Sequence, residues 1–213
     1  MATKTYDQYC GIAAALDRVG DRWTLLILRE LSFGEFRFTD LRTRLPGIAT
    51  NLLADRLRSL EDDGLVEQRE LPAPAARTVY ALTADGRRVN PVLRALAGFG
   101  QAFLADPVEG AVRPEMAVHG TLAQRLDARA GIGTSVRVRF DLGASKLWLE
   151  ERDGALVRPD TSVAPDLVVS GSPAALVELC RGTVRLSEVA DRLQVTGPRA
   201  ARRTFAKVFD LAL

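Results

Sequence analysis

The chain has 213 residues, 47% of them hydrophobic and 26% charged, with a formal net charge of +2 at pH 7. This is room for one large domain or two of about 100 residues each, and the near-neutral charge gives no global argument for nucleic acid. It contains no apolar run near the roughly 18 residues that span a bilayer, and "MATKTYDQYCG" lacks the apolar core of a signal peptide, so a cytoplasmic protein is expected.

In chain order, residues 11–19 read as a short apolar helix. Gly20 interrupts it, and Asp21 is the expected cap of a second helix, "RWTLLILREL". That helix is apolar nearly all round and reads as the central core helix. "TDLRTRL", residues 39–45, is a third helix with Thr39 as candidate cap and Leu41 and Leu45 inward. "PGI" turns the chain. Residues 49–63 make a fourth helix with Leu53, Leu57 and Leu60 on one side and Thr50, Asn51, Asp55, Arg56 and Arg58 on the others. Gly64 stops it in the left-handed position. The period then changes. "LVEQREL" and "TVYAL", joined by "PAPAAR", read as a β-hairpin. A long helix follows, capped by Thr83, with Val89, Leu93, Leu96 and Phe103 along a stripe. Pro91 implies a kink, or a start near residue 90.

Residues 106–115 are rich in Pro and Gly, so the boundary is placed there, giving domains 1–106 and 107–213. The second domain reads as α+β. "MAVHGTLAQRLDARAG" looks helical, and "SVRVRFDL" and "KLWLEERDG" alternate as strands with Trp148 opposed to Leu147 and Leu149. "DLVVSG" is a strand and "SPAALVELCRG" a capped helix. "LSEVAD" is a further helix, "RLQVTG" a strand, and "PRAARRTFAKVFDLAL" a closing helix that starts at Pro198.

Three helices, a solvent-facing fourth, a hairpin and a long last helix form the order of a winged helix-turn-helix. Residues 1–106 balance 14 Lys and Arg against 14 Asp and Glu. Yet Arg37, Arg42, Arg44, Arg56 and Arg58 face only Asp40 and Asp55 within their own stretch, a local cationic patch. A major groove about 12 Å wide admits one helix. Thr50 and Asn51 at the entering end suit base edges, with Asp55 on the same helix. Arg56 and Arg58 suit phosphates or guanine, Thr39 opens the supporting helix with Arg37 in the loop before it, and Arg69 and Arg77 flank a cationic wing.

Other chemistries find little support. Cys10 and Cys180 are too few for a disulfide framework, and His119 has no spaced ligand companions, so neither metal nor cofactor is expected. There is no Ser/His/Asp set and no phosphate-cradling glycine loop, so an enzyme is not expected.

Cys10, the Gly20–Trp23 turn, "LLILREL", "LPGI", "GLV" and "Y.LT..G" carry a resemblance to the HxlR-type winged-helix regulators, related to the MarR-like repressors, over residues 10 to about 103. The resemblance implies a homodimeric repressor on a two-fold operator, paired through "GIAAALDRV" and the stripe of Leu93, Leu96 and Phe103. It also implies an alternative, a redox- or electrophile-sensing regulator acting through Cys10, with Lys4, Arg18 and Arg22 as candidate activating charges. One position departs: the family's serine after "PGI" is Ala49 here. The cap of the fourth helix either moves to Thr50 or is lost, at a cost of about 1 kcal/mol.

"DLVVSGSPAALVELCRGTVRLSEVADRLQVTGPRAARRTFAKVF" resembles the sterol carrier protein 2-like (SCP2-like) fold, with Asp191 where that family has glycine. This implies a small hydrophobic effector in a tunnel lined by Phe140, Leu142, Trp148, Leu176, Leu179 and Phe205, or, as a further alternative, a lipid-binding carrier.

Overall fold

The computed structural model describes residues 5–71, 77–157 and 159–213. They form two compact units, Met1–Leu96 and Ala97–Leu213. The division falls ahead of the Pro- and Gly-rich stretch where the sequence places it.

The first unit holds α1 (Gly11–Val19), α2 (Thr24–Ser32), α3 (Phe38–Arg44), α4 (Thr50–Asp62) and a hairpin of β1 (Val66–Leu71) and β2 (Arg77–Leu82). It leads into α5 (Asn90–Gly100). Ile27, Leu28, Leu31, Leu41, Leu53, Leu57 and Leu60 meet in one core. Two expected caps differ. α2 begins at Thr24 behind Trp23, and Asp21 offers its carbonyl, not its carboxylate, to the Thr24 N–H at 3.0 Å. α3 begins at Phe38, so Thr39 lies inside its first turn, and the Asp40 carboxylate accepts the Arg37 N–H at 3.2 Å instead. Nor is α2 apolar all round: Leu26 is exposed and Glu30 is fully buried.

The hairpin is antiparallel from Val66↔Leu82 to Leu71↔Arg77. Phe36 adds a bridge to Tyr80, with N–H···O distances of 3.1 and 2.7 Å. Gly64, at φ +69°, ends α4. The "Y.LT..G" motif joins the end of α4 to the hairpin. The Thr83 hydroxyl donates to the Gly64 carbonyl at 2.7 Å and accepts the Gly86 N–H at 2.9 Å. A Cβ on Gly86 would stand 1.9 Å from the Leu65 carbonyl oxygen, so only glycine fits. Pro91 is the second residue of α5, which starts at Asn90 after a 3-10 turn, so the proline opens the helix.

The second unit is a sheet in the order β5-β4-β3-β6-β7 with two helices. The strands are β3 (Ser135–Leu142), β4 (Ser145–Arg152), β5 (Ala155–Val157), β6 (Leu167–Gly171) and β7 (Leu193–Thr196). The helices are α6 (Pro173–Arg181) and α7 (Arg199–Val208). Among the described residues, β3 and β6 are the one parallel pair of this sheet. Val136, Val138, Phe140 and Leu142 alternate into the core. Ser172 caps α6 by accepting the N–H groups of Ala174 and Ala175, and Gly182 closes it at φ +70°.

The chain ahead of the sheet is tied along α6. Arg181 donates to the carbonyls of Leu104 and Ala105, and the Ser172 hydroxyl donates to Glu109 at 2.7 Å. Two expected helices shrink: residues 116–125 are one π and one 3-10 turn, and "LSEVAD" is a single 3-10 turn. β5 has three residues, too few to show a period.

Candidate nucleic-acid interface

α4 has the division of faces that a reading helix needs. Leu53, Leu57 and Leu60 are at most 1% exposed, and Asn51, Asp55, Arg58 and Ser59 line the opposite, solvent-facing side beside exposed Thr50. α3 supports it through buried Leu41 and Leu45. Between them Gly47, at φ +91°, turns the chain with its Cα side against the Trp23 ring. The cap question resolves as a loss. Ala49 is the N-cap with no side-chain bond, and Thr50 is the first helical residue. The first N–H groups of α4 therefore have no side-chain acceptor.

The arginine patch is smaller than its sequence count. Arg44 turns inward to Glu30 at 3.0 Å, and its guanidinium lies 4.4 Å from the centre of the Phe36 ring. Arg56 is half-buried and paired with Asp21, and Arg58 pairs with Asp55 at 3.1 Å. Arg37 and Arg42 are exposed and have no ion pair among the described residues. Arg42 belongs to the sequence patch but not to the expected DNA contacts. The signal that marks it is its place on the solvent side of α3, three residues before Leu45. Thr39 is exposed, and its carbonyl accepts the Thr43 hydroxyl at 3.0 Å.

On the wing, Arg69 is engaged by Glu67 and, at 2.8 Å, by Glu35. The hydrogen bond to Glu67 is the main reason its guanidinium is held above the ordinary arginine range. Arg77 opens β2, exposed and without an ion pair among the described residues. The expected tip at residues 72–76 lies outside the described residues.

Five of the six expected effector contacts gather in one packed core. Phe140, Leu142, Leu176, Leu179 and Phe205 are at most 2% exposed there, with the Phe140 and Phe205 rings tilted against each other, centroids 6.5 Å apart. Trp148 is half-exposed on the other sheet face, opposite Arg139. An open cleft of about 540 Å³ does exist, bounded by Glu109, Val112, Leu142, Ala144 and Ser172. Leu142 alone belongs to both sets. Alternation identifies the inward face, and core and pocket share that pattern.

Cys10 is exposed at the start of α1. No capping hydrogen bond closes from its sulfur, but the Ala13 and Ile12 N–H groups hold its thiol below the ordinary range. Backbone, not Arg18 or Arg22, is the cause; Lys4 lies outside the described residues. Cys180 is buried, and burial pushes its thiol up to about 12. Among the described residues no group of three His, Cys, Asp or Glu side chains is placed to hold a metal, and no helix is long and apolar enough to cross a membrane.

Residues 18–107 match the HxlR-like helix-turn-helix family. An HTH-type transcriptional regulator of Methanothermobacter thermautotrophicus is 35% identical over 98 residues, 46% of this chain and 75% of the relative. Another, from Synechocystis, is 39% identical over 95 residues, covering 45% and 70%. YtfH of Escherichia coli is 34% identical over 112 residues, covering 53% and 87%. The family match leaves most of the second unit uncovered. These relatives are regulators, not enzymes. Joined to the faces of α4, they show that the chain belongs to the HxlR-like helix-turn-helix family of DNA-binding transcriptional regulators.

Proposed function

We propose that the protein is a cytoplasmic repressor that binds a two-fold operator as a homodimer and responds to a ligand through its second unit. The carrying observation is the two-sided α4, with leucines locked into the core and Thr50, Asn51, Asp55 and Arg58 outside. α4 enters the major groove with Thr50 and Asn51 toward base edges. Its uncapped first turn, Arg37, Thr39 and Arg42 meet phosphates. Arg77 supplies the wing contact. Arg56, Arg58 and Arg69 reach DNA by leaving their present carboxylate partners.

The dimer reading rests on apolar surface. α1 buries only Ala13 and leaves Ile12 at 72% exposure, while Leu96, Phe99 and Phe103 are each at least 45% exposed. Side chains of this kind gathered on two helices need a partner, and a second copy would set two α4 helices one turn of duplex apart. The SCP2-like reading of the second unit rests on the sequence resemblance and its α+β order. The open cleft beside Leu142 is the more accessible place for an effector than the packed core.

The test is a gel shift on DNA flanking the protein's own gene. Asn51→Ala should weaken binding roughly 5- to 150-fold, a base contact being worth about 1–3 kcal/mol. Unchanged binding, or a chain that sediments as a monomer while bound, would refute the groove or the dimer.

A second reading is favoured by Cys10. Its exposure and lowered thiol suit a sensor of electrophiles at the start of a dimerising helix. DNA release by diamide should vanish in Cys10→Ser, and release that persists removes the reading.

A further inference from the structure

α7 carries an unexplained charge pattern. Between Arg199 and Val208 there are four cations, Arg199, Arg202, Arg203 and Lys207, and no carboxylate. All four are exposed, and none has an ion pair among the described residues. Arg199–Arg203 and Arg203–Lys207 stand at i,i+4, a spacing at which like charges repel. Arg199 also occupies the first turn, where the helix dipole disfavours a cation. The stripe works against the stability of its own helix twice over. It runs about 12 Å, at 1.5 Å rise per residue. Arg199 and Arg203 border an open recess of about 600 Å³.

The other side of the helix decides what the stripe can meet. Phe205 and Val208 are fully buried, and the Phe205 ring packs tilted against Phe209, centroids 5.2 Å apart. No large apolar side chain of α7 is left outside to enter a bilayer, as a membrane-surface helix requires. What remains is a row of cations on an anchored helix, three of them guanidiniums whose forks fit phosphate oxygens.

We infer that α7 is a second DNA-contacting surface that binds duplex phosphates without reading sequence. The inference rests on the DNA-binding reading above and adds a surface outside the winged helix, in the unit that the family match leaves uncovered. The regulator thus holds DNA by a reading helix for specificity and a cationic stripe for affinity and salt dependence.

The test is fluorescence anisotropy of the full-length chain on operator and scrambled duplexes across a roughly sixfold range of salt concentration. A triple variant, R199Q/R203Q/K207Q, is compared with a charge-matched control, R129Q/K146Q/R185Q, and with N51A. The α7 variant should weaken both duplexes alike. It should also flatten the log–log salt slope by roughly 0.9 for each phosphate that α7 ceases to neutralise. N51A should weaken only the operator. Thermal melts should show the α7 variant folded and no less stable, since repulsion is relieved.

An unchanged slope, or an equal weakening in the control, overturns the inference while leaving the reading helix standing. So does co-sedimentation of the wild type with phosphatidylserine vesicles that α7 substitution abolishes without changing DNA binding. A wild-type chain that binds neither duplex overturns both this inference and the DNA-binding reading.

Discussion

Arg42 and Arg44 are two residues apart and have opposite fates. Both belong to the patch as counted along the sequence, but α3 aims Arg42 at solvent and Arg44 at the buried carboxylate of Glu30. Arg44→Ala leaves Glu30 in the core with one cation fewer. It should lower unfolding free energy by about 2–4 kcal/mol, below the full cost of stranding a buried charge because Arg29 also pairs with Glu30. Arg42→Ala should change stability by no more than about 0.5 kcal/mol. Urea unfolding of both variants checks the contrast. Sequence shows which residues are cations, but pairing between α3 and α2 depends on how the helices cross. The two cysteines differ in the same way. Native protein treated with iodoacetamide at rising pH should be modified at Cys10 first, at a pH below the ordinary thiol range, while Cys180 stays unmodified. A mass shift found on Cys180, or none in the native state, would contradict this.

At the scale of elements, what was legible followed period and punctuation. Helices α3 and α4, the hairpin, β3, β6 and α6 declared themselves by repeated leucines, alternation, Ser172 and Gly64. β5 and the tight turns before β3 were too short for a period. The lining proposed for a tunnel shows the limit of alternation: a strand buried on one face looks the same whether it packs on side chains or lines a void. The junction of α4 with the hairpin explains why the family motif reads as it does. Gly86→Ala places a methyl on the Leu65 carbonyl, and Thr83→Val removes two hydrogen bonds. Each should cost about 1–3 kcal/mol. Each should also weaken operator binding, because the hairpin shifts relative to α4. Calorimetry with paired binding curves checks both parts, and a destabilised variant of normal affinity would uncouple them.

At the scale of the molecule, acid should act through two ion pairs of the second unit. In the second unit Arg137 holds Glu150, and Arg192 holds Glu178, below the usual carboxylate range. A carboxyl lowered on folding contributes stability that is fully present above its unfolded value. That stability is lost as pH falls through the lower, folded value. Melting should therefore be flat from about pH 7 to about 5 and fall below about pH 4. Arg192→Ala should lower melting near neutral pH and make the fall in acid shallower, because Glu178 then loses no paired cation on protonation, read by circular dichroism melts of the intact chain. A fall centred near neutrality would point to other groups.

The missing cap of α4 has a consequence in time as well as in energy. With alanine at the N-cap, the first-turn amides have no side-chain acceptor. Their hydrogens should exchange with deuterated solvent within seconds in the free protein and be protected when operator phosphate is bound. Ala49→Ser would slow that exchange before any DNA arrives. If those amides exchange no faster than the rest of α4, or gain no protection on operator, the bare end has no part in recognition, and the missing cap is a matter of stability alone.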